Sequence, residues 1–152
     1  MGARWFEVEG ERFFARVWGA ADLPPLLLLH GFPEYSGAWE EVAERLSEQY
    51  YCIAPDQRGY GQSPAPDAVT DYAPARLVAD MAAIVTQLDA GPIAVVGHDW
   101  GSAVAYGLAI LRPELVEKLV VLNGVHPGPF QRALAAGGAQ SAAAAGLCAT
   151  GC

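Results

Sequence analysis

Val95-Val96-Gly97-His98-Asp99-Trp100-Gly101-Ser102 is the stretch that decides the fold. A β-branched apolar run passes straight into a helical pattern through Gly-x-Asp-x-Gly. This is the layout of a nucleophile elbow, G-x-S-x-G, with Asp at its centre. So sharp a turn crowds the backbone, and side chains two residues to either side of the centre would collide, which accounts for Gly97 and Gly101. The central side chain is lifted above the carboxyl end of a sheet, where ligands bind in open α/β folds. It also stands at a helix N-terminus, whose partial positive charge and free N–H groups favour a carboxylate. Asp is a common N-cap as well. A plain cap needs no flanking glycines, so Asp99 is the candidate nucleophile.

Working outward, strands alternate with helices. Residues 93–96 read as a buried strand. Before them Leu77, Met81, Ile84, Val85 and Leu88 share one helical face, and Gly91-Pro92 ends that helix. After the elbow, the pattern predicts a helix over 102–111 and a strand over 119–122. Toward the N-terminus, 26–29 is a short buried strand behind Pro24-Pro25. From Ser36 the residues Trp39, Val42, Ala43 and Leu46 recur at helical spacing, with Trp39 in the core. Glu40, Glu41, Glu44 and Glu48 form the solvated face. Cys52-Ile53-Ala54 is a strand stopped by Pro55, and 56–66 is a loop. Residues 5–8 and 12–18, joined by Glu9-Gly10-Glu11, predict a hairpin. The expectation is an α/β fold: a mostly parallel sheet covered on both faces, with an N-terminal β-hairpin.

Composition fits that reading. With 152 residues, 53% of them hydrophobic, the chain has room for one domain with a real core and is too apolar to be disordered. A net charge of -8 argues against nucleic acid and against an anionic membrane surface. Three cysteines without a CxxC pair offer neither a disulfide framework nor a zinc site. The chain starts without an apolar signal segment, and position 6 is Phe where N-myristoylation wants Ser or Thr. A cytoplasmic location is expected. No charged residue follows Arg132, and residues 133–152 are an Ala/Gly-rich tail, expected to be disordered or artefactual. Residues 1–132 are expected to form the folded part.

A second motif, His30-Gly31-Phe32-Pro33, follows the strand at 26–29. Together with the elbow it predicts an oxyanion hole made by the backbone N–H groups of Trp100 and Phe32. These motifs, with Glu34, Asp56-Gln57-Arg58-Gly59-Tyr60-Gly61-Gln62-Ser63 and Asn123-Gly124-Val125-His126-Pro127, resemble the α/β-hydrolase superfamily and, within it, the epoxide hydrolases. The resemblance covers roughly residues 5–132. It implies an α/β-hydrolase core in which Asp99 attacks a saturated carbon and forms an alkyl ester, which an activated water then hydrolyses. Elbow and loop support would come from His30, Gly31, Pro33, Gly97, His98 and Gly101, with His98 packed beneath the bend. Asp56, Arg58 and Ser63 would form a loop network, and His126 would lie at the entrance to a cap.

Haloalkane dehalogenases share the Asp elbow but often carry Asn where this chain has Phe32. Fluoroacetate-type dehalogenases usually carry Arg where it has Trp100. Both departures favour an epoxide over a carbon–halogen substrate. A non-catalytic binding module of the same fold is the alternative from another class. Members of the family are longer, with a helical cap after the strand at 119–122, then further strands bearing the triad acid and His. The chain is therefore expected to be an N-terminal part of such a core, truncated before the cap and last strands and unable to turn over alone. No metal or organic cofactor is implied, since there is no dinucleotide fingerprint and no clustered ligand set. The expected partner is a small-molecule substrate.

Overall fold

The computed structural model describes residues 1–126 together with 128 and 132. Its strands are β1 (Gly2–Val8), β2 (Glu11–Trp18), β3 (Pro25–Leu29), β4 (Tyr51–Pro55), β5 (Ile93–His98) and β6 (Val116–Leu122). The helices are α1 (Glu40–Leu46), α2 (Pro74–Thr86) and α3 (Trp100–Leu111). The sheet order is β1-β2-β4-β3-β5-β6. β1 pairs antiparallel with β2 and β2 with β4, and all other pairings are parallel. This is the mostly parallel sheet with an antiparallel hairpin that the sequence predicts. The tail over 133–152 lies outside the described residues.

Alternation along the central strands explains why the sheet needs cover on both faces. Leu27, Leu29, Tyr51 and Ile53 join Met81, Ile84 and Val85 of α2 and Leu108 of α3 in one core. Leu26, Leu28, Cys52 and Ala54 point the other way, to Trp18, Trp39 and Ala43. All four of these leucines are at most 6% exposed, so β3 has no solvent face.

Element limits differ from the sequence reading in small ways. Val8 pairs with Glu11, so the hairpin turn is Glu9-Gly10 alone. Both turn residues have positive φ, as a two-residue type I′ turn requires. Pro55 sits inside β4, opposite Ala15, because its missing N–H faces no ladder bond that the strand must make. α2 stops at Thr86, before Gly91-Pro92, where the Gln87 side chain donates to Ala83 O and Glu7 O, each at 3.0 Å. Val42 is exposed and not part of the core. Trp39 belongs to a 3-10 turn, Ser36–Trp39, and this changes the phase of the apolar positions before α1 begins.

The loop after β4 is locked from within. Asp56 accepts the Ser36 N–H (2.8 Å) and the Gln62 N–H (2.9 Å). Ser63 Oγ accepts the Phe14 N–H at 3.1 Å. Arg58, 3% exposed, forks onto Asp80 of α2 at 2.7 and 3.0 Å and reaches Glu11 at 2.6 Å. These partners hold its guanidinium charged, and Arg58 in turn holds the Glu11 carboxyl below the usual range. The three residues expected to form a loop network are buried but do not bond one another: Asp56 ties the loop to Ser36, Ser63 to β2 and Arg58 to α2.

β6 is an edge among the described residues, with Val120 49% and Leu122 44% exposed. An apolar edge strand templates pairing between chains. The 152-residue chain is expected to associate as its concentration rises. A charge on that edge, Val120→Lys, should shift sedimentation toward the monomer. A wild-type chain that stays monomeric at high concentration would contradict this expectation.

Candidate active site

β5 ends at His98 and α3 begins at Trp100, so Asp99 is the bend between them. Its φ of 50° and ψ of -117° lie where L residues are rarely found. The surroundings enforce that conformation. The Asp99 N–H donates to Leu122 O of β6 at 3.1 Å. A Cβ on Gly97 would sit 2.6 Å from Gly101 O, and one on Gly101 would run into the carbonyls of Leu29 and His30. Both glycines are thus required by close approach. The side chain of Asp99 is exposed at the carboxyl end of the sheet.

The loop after β3 is brought against it. The Phe32 N–H donates to Asp99 Oδ1 at 3.0 Å. Among the described residues none donates to Oδ2. Trp100 heads α3, and its N–H is one of those that an α-helix leaves without an internal partner. The side chains of Phe32 and Trp100 are 58% and 60% exposed beside the carboxylate.

Glu34 joins loop to bend. Its Oε2 accepts the Gly31 N–H at 3.0 Å and lies 3.0 Å from His98 Nδ1. Burial works against its charge, but the Gly31 N–H and the His98 ring hold its carboxyl below the usual range. The Glu34 N–H closes the turn around Phe32-Pro33 onto Gly31 O at 3.0 Å. So His98 is not merely packed beneath the bend; it has a carboxylate partner. Sequence reasoning gave Glu34 no role, because nothing in its spacing says that it meets His98.

His30 lies fully buried under the loop. Its Nε2 accepts the Gln57 N–H at 3.1 Å, which puts the ring proton on Nδ1, where it donates to Gly31 O at 3.0 Å. Burial pulls His30 below its ordinary value of 6.5, although Gly31 O and the nearby carboxylates oppose this. The folded state therefore binds fewer protons than the unfolded chain just below pH 6.5. Stability is full above 6.5 and is expected to fall as pH drops through that value. Urea melts across this range should show the slope, and His30→Gln should flatten it. An unchanged slope in that variant would refute the assignment.

Other residues fall into place around this centre. The Tyr60 ring packs edge-on to His30 at 5.0 Å. Burial, and after it the Asp99 charge, raise its hydroxyl above the ordinary value. The sequence reading did not foresee this packing of Tyr60 on His30. His126 packs edge-on to Tyr106 at 4.9 Å. A concavity of about 380 Å³, lined by Tyr51, Pro25 and Leu88 among others, opens at the amino ends of the parallel strands, away from Asp99. Among the described residues there is no grouping of acids, His and Cys fit to hold a metal. No described helix is long and apolar enough to cross a membrane.

Residues 24–143 match the family model described as alpha/beta hydrolase fold. The chain is 44% identical over 110 residues to the "AB hydrolase superfamily protein YfhM" of Bacillus subtilis (strain 168), covering 72% of this chain and 38% of that protein. It is 38% identical over 121 residues to "Epoxide hydrolase 4" of Mus musculus, covering 80% of this chain and 34% of that protein. A solved structure from work on "Novel epoxide hydrolases belonging to the alpha/beta hydrolases superfamily in metagenomes from hot environments" superposes with a TM-score of 0.83 at 36% identity. That alignment covers 88% of this chain and 46% of the other. The chain thus spans between a third and two fifths of the length of these curated relatives. A sheet of this order, bent at its carboxyl edge around Asp99 and matched over most of its residues, makes the chain a member of the alpha/beta hydrolase fold family.

Proposed function

We propose that this chain carries the nucleophilic half of an epoxide-hydrolase-like active site. The observation that carries the reading is the asymmetry of the exposed Asp99 carboxylate: Oδ1 is held by the Phe32 N–H while Oδ2 has no donor among the described residues. Oδ2 would attack a ring carbon of the epoxide. An Oδ2–C bond forms, the ring C–O bond breaks, and the alkoxide takes a proton from an acid or from water. Water, giving a proton to a base, then attacks Cγ of Asp99; the charge that develops on Oδ1 is met by the N–H groups of Phe32 and Trp100, and collapse of this intermediate breaks the Cγ–Oδ2 bond and releases the protonated diol. Such a donor is typically worth about 3–4 kcal/mol.

That second step needs a base. His30 is buried with Nε2 already accepting, His98 faces Glu34, and His126 packs edge-on to Tyr106. We assign none of them. The base, the triad acid and the group that protonates the opening ring would come from segments of the kind the longer relatives possess. The proposed substrate is an epoxide-bearing small molecule, since a carboxylate oxygen suits attack at a saturated carbon.

Incubation of the purified chain with styrene oxide, followed by intact-mass measurement and peptide mapping, tests the reading. One adduct on the peptide containing Asp99 is expected, without sustained diol formation. Sustained turnover, or adducts only elsewhere, would overturn it. A parallel arm with a 1-haloalkane decides for the dehalogenase alternative if that probe labels Asp99 faster.

A further inference from the structure

We infer that Ser102 is a positioning residue, a hydroxyl clasp that keeps Asp99 in its reactive conformation. This deepens the proposed role of Asp99 and rests on it. Ser102 is 1% exposed in the first turn of α3. Its Oγ–H lies 2.8 Å from Gly97 O and 3.2 Å from Leu122 O. One proton is shared between a carbonyl on the near side of the bend and a carbonyl of the neighbouring strand. The Ser102 N–H donates to Asp99 O at 3.0 Å, and Leu122 O also accepts the Asp99 N–H at 3.1 Å.

Ser102 therefore closes a ring of contacts around the one residue of the bend with positive φ. It holds the carbonyl side of Asp99 through its own N–H and the Gly97 side through its hydroxyl. It joins both to the β6 carbonyl that fixes the Asp99 N–H. Space at this point is already spent: a Cβ on Gly97 would lie 2.7 Å from Ser102 Cα, and one on Gly124 would strike the Ser102 side chain. A strained φ, ψ pair persists only where its surroundings over-determine it. The hydroxyl supplies one of those constraints at a place where a helix interior would accept Ala at no conformational cost.

The test compares the wild-type chain with Ser102→Ala, using Ile84→Val in α2 as a control for general destabilisation. Site-resolved amide exchange reads the backbone, and styrene oxide labelling of Asp99 reads the chemistry. Ser102→Ala is expected to speed exchange of the Asp99 amide about tenfold and to slow labelling by a similar factor. Ile84→Val should move neither. Unchanged exchange in Ser102→Ala overturns the inference, as does faster exchange with unchanged labelling. Equal effects from Ile84→Val overturn it too. If the wild-type chain is never labelled at Asp99, the nucleophile reading fails. Amide exchange then still decides whether Ser102 holds the bend.

Discussion

Asp99→Asn should abolish covalent labelling by styrene oxide, lowering its rate by roughly 10³-fold or more. An amide oxygen carries no charge and is a poor nucleophile toward carbon. The substitution is nearly isosteric, and its oxygen can still accept the Phe32 N–H that now meets Oδ1 at 3.0 Å. Asn also tolerates positive φ better than most residues, so the backbone at 50° has no reason to relax. The melting profile should stay close to wild type. Asp99→Glu separates charge from placement. It keeps the carboxylate but pushes it one methylene further from the Phe32 N–H, so labelling should still fall, by about 10²-fold. Intact mass against time measures both. Labelling of Asp99→Asn at the wild-type rate would mean that another group reacts.

The second large effect is on stability, and it lies far from the carboxylate. Arg58 and Asp80 are 3% and 1% exposed and joined at 2.7 and 3.0 Å. Removing either partner leaves the other buried with a single remaining ion pair, Asp80 with Arg76 at 3.5 Å or Arg58 with Glu11 at 2.6 Å. Arg58→Ala or Asp80→Ala is therefore expected to cost about 3 kcal/mol, seen as a lower urea midpoint. Replacing both by apolar residues, Arg58→Met with Asp80→Leu, should cost much less than either single change, although Glu11 then loses a partner at 2.6 Å. Single variants within about 1 kcal/mol of wild type would show that water reaches the pair.

Much of this architecture can be read from residue order, because burial on both faces leaves a plain mark. Leu26 to Leu29 and Cys52 to Ala54 are continuous apolar runs, and only a strand covered above and below has that pattern. The elbow is legible because its pattern is local: Gly97 is demanded by Gly101 and Ser102 a few residues on, although Gly101 answers to the distant carbonyls of Leu29 and His30. What escapes is set by partners distant in sequence. Asp80 interrupts the apolar face of α2, and only the fold reveals that Arg58 answers it. Val42 has the right spacing for the core but is turned outward by the 3-10 turn before α1. Tyr60 meets His30 edge-on because the loop after β4 folds back over that ring.

A single oxygen of Glu34 serves both the loop that presents Phe32 and the histidine preceding Asp99, across 64 positions of sequence. Neither side can drift without robbing the other of its bond. The Phe32 donor and the Asp99 carboxylate are in this way yoked, and the gap between them is gauged by a third side chain.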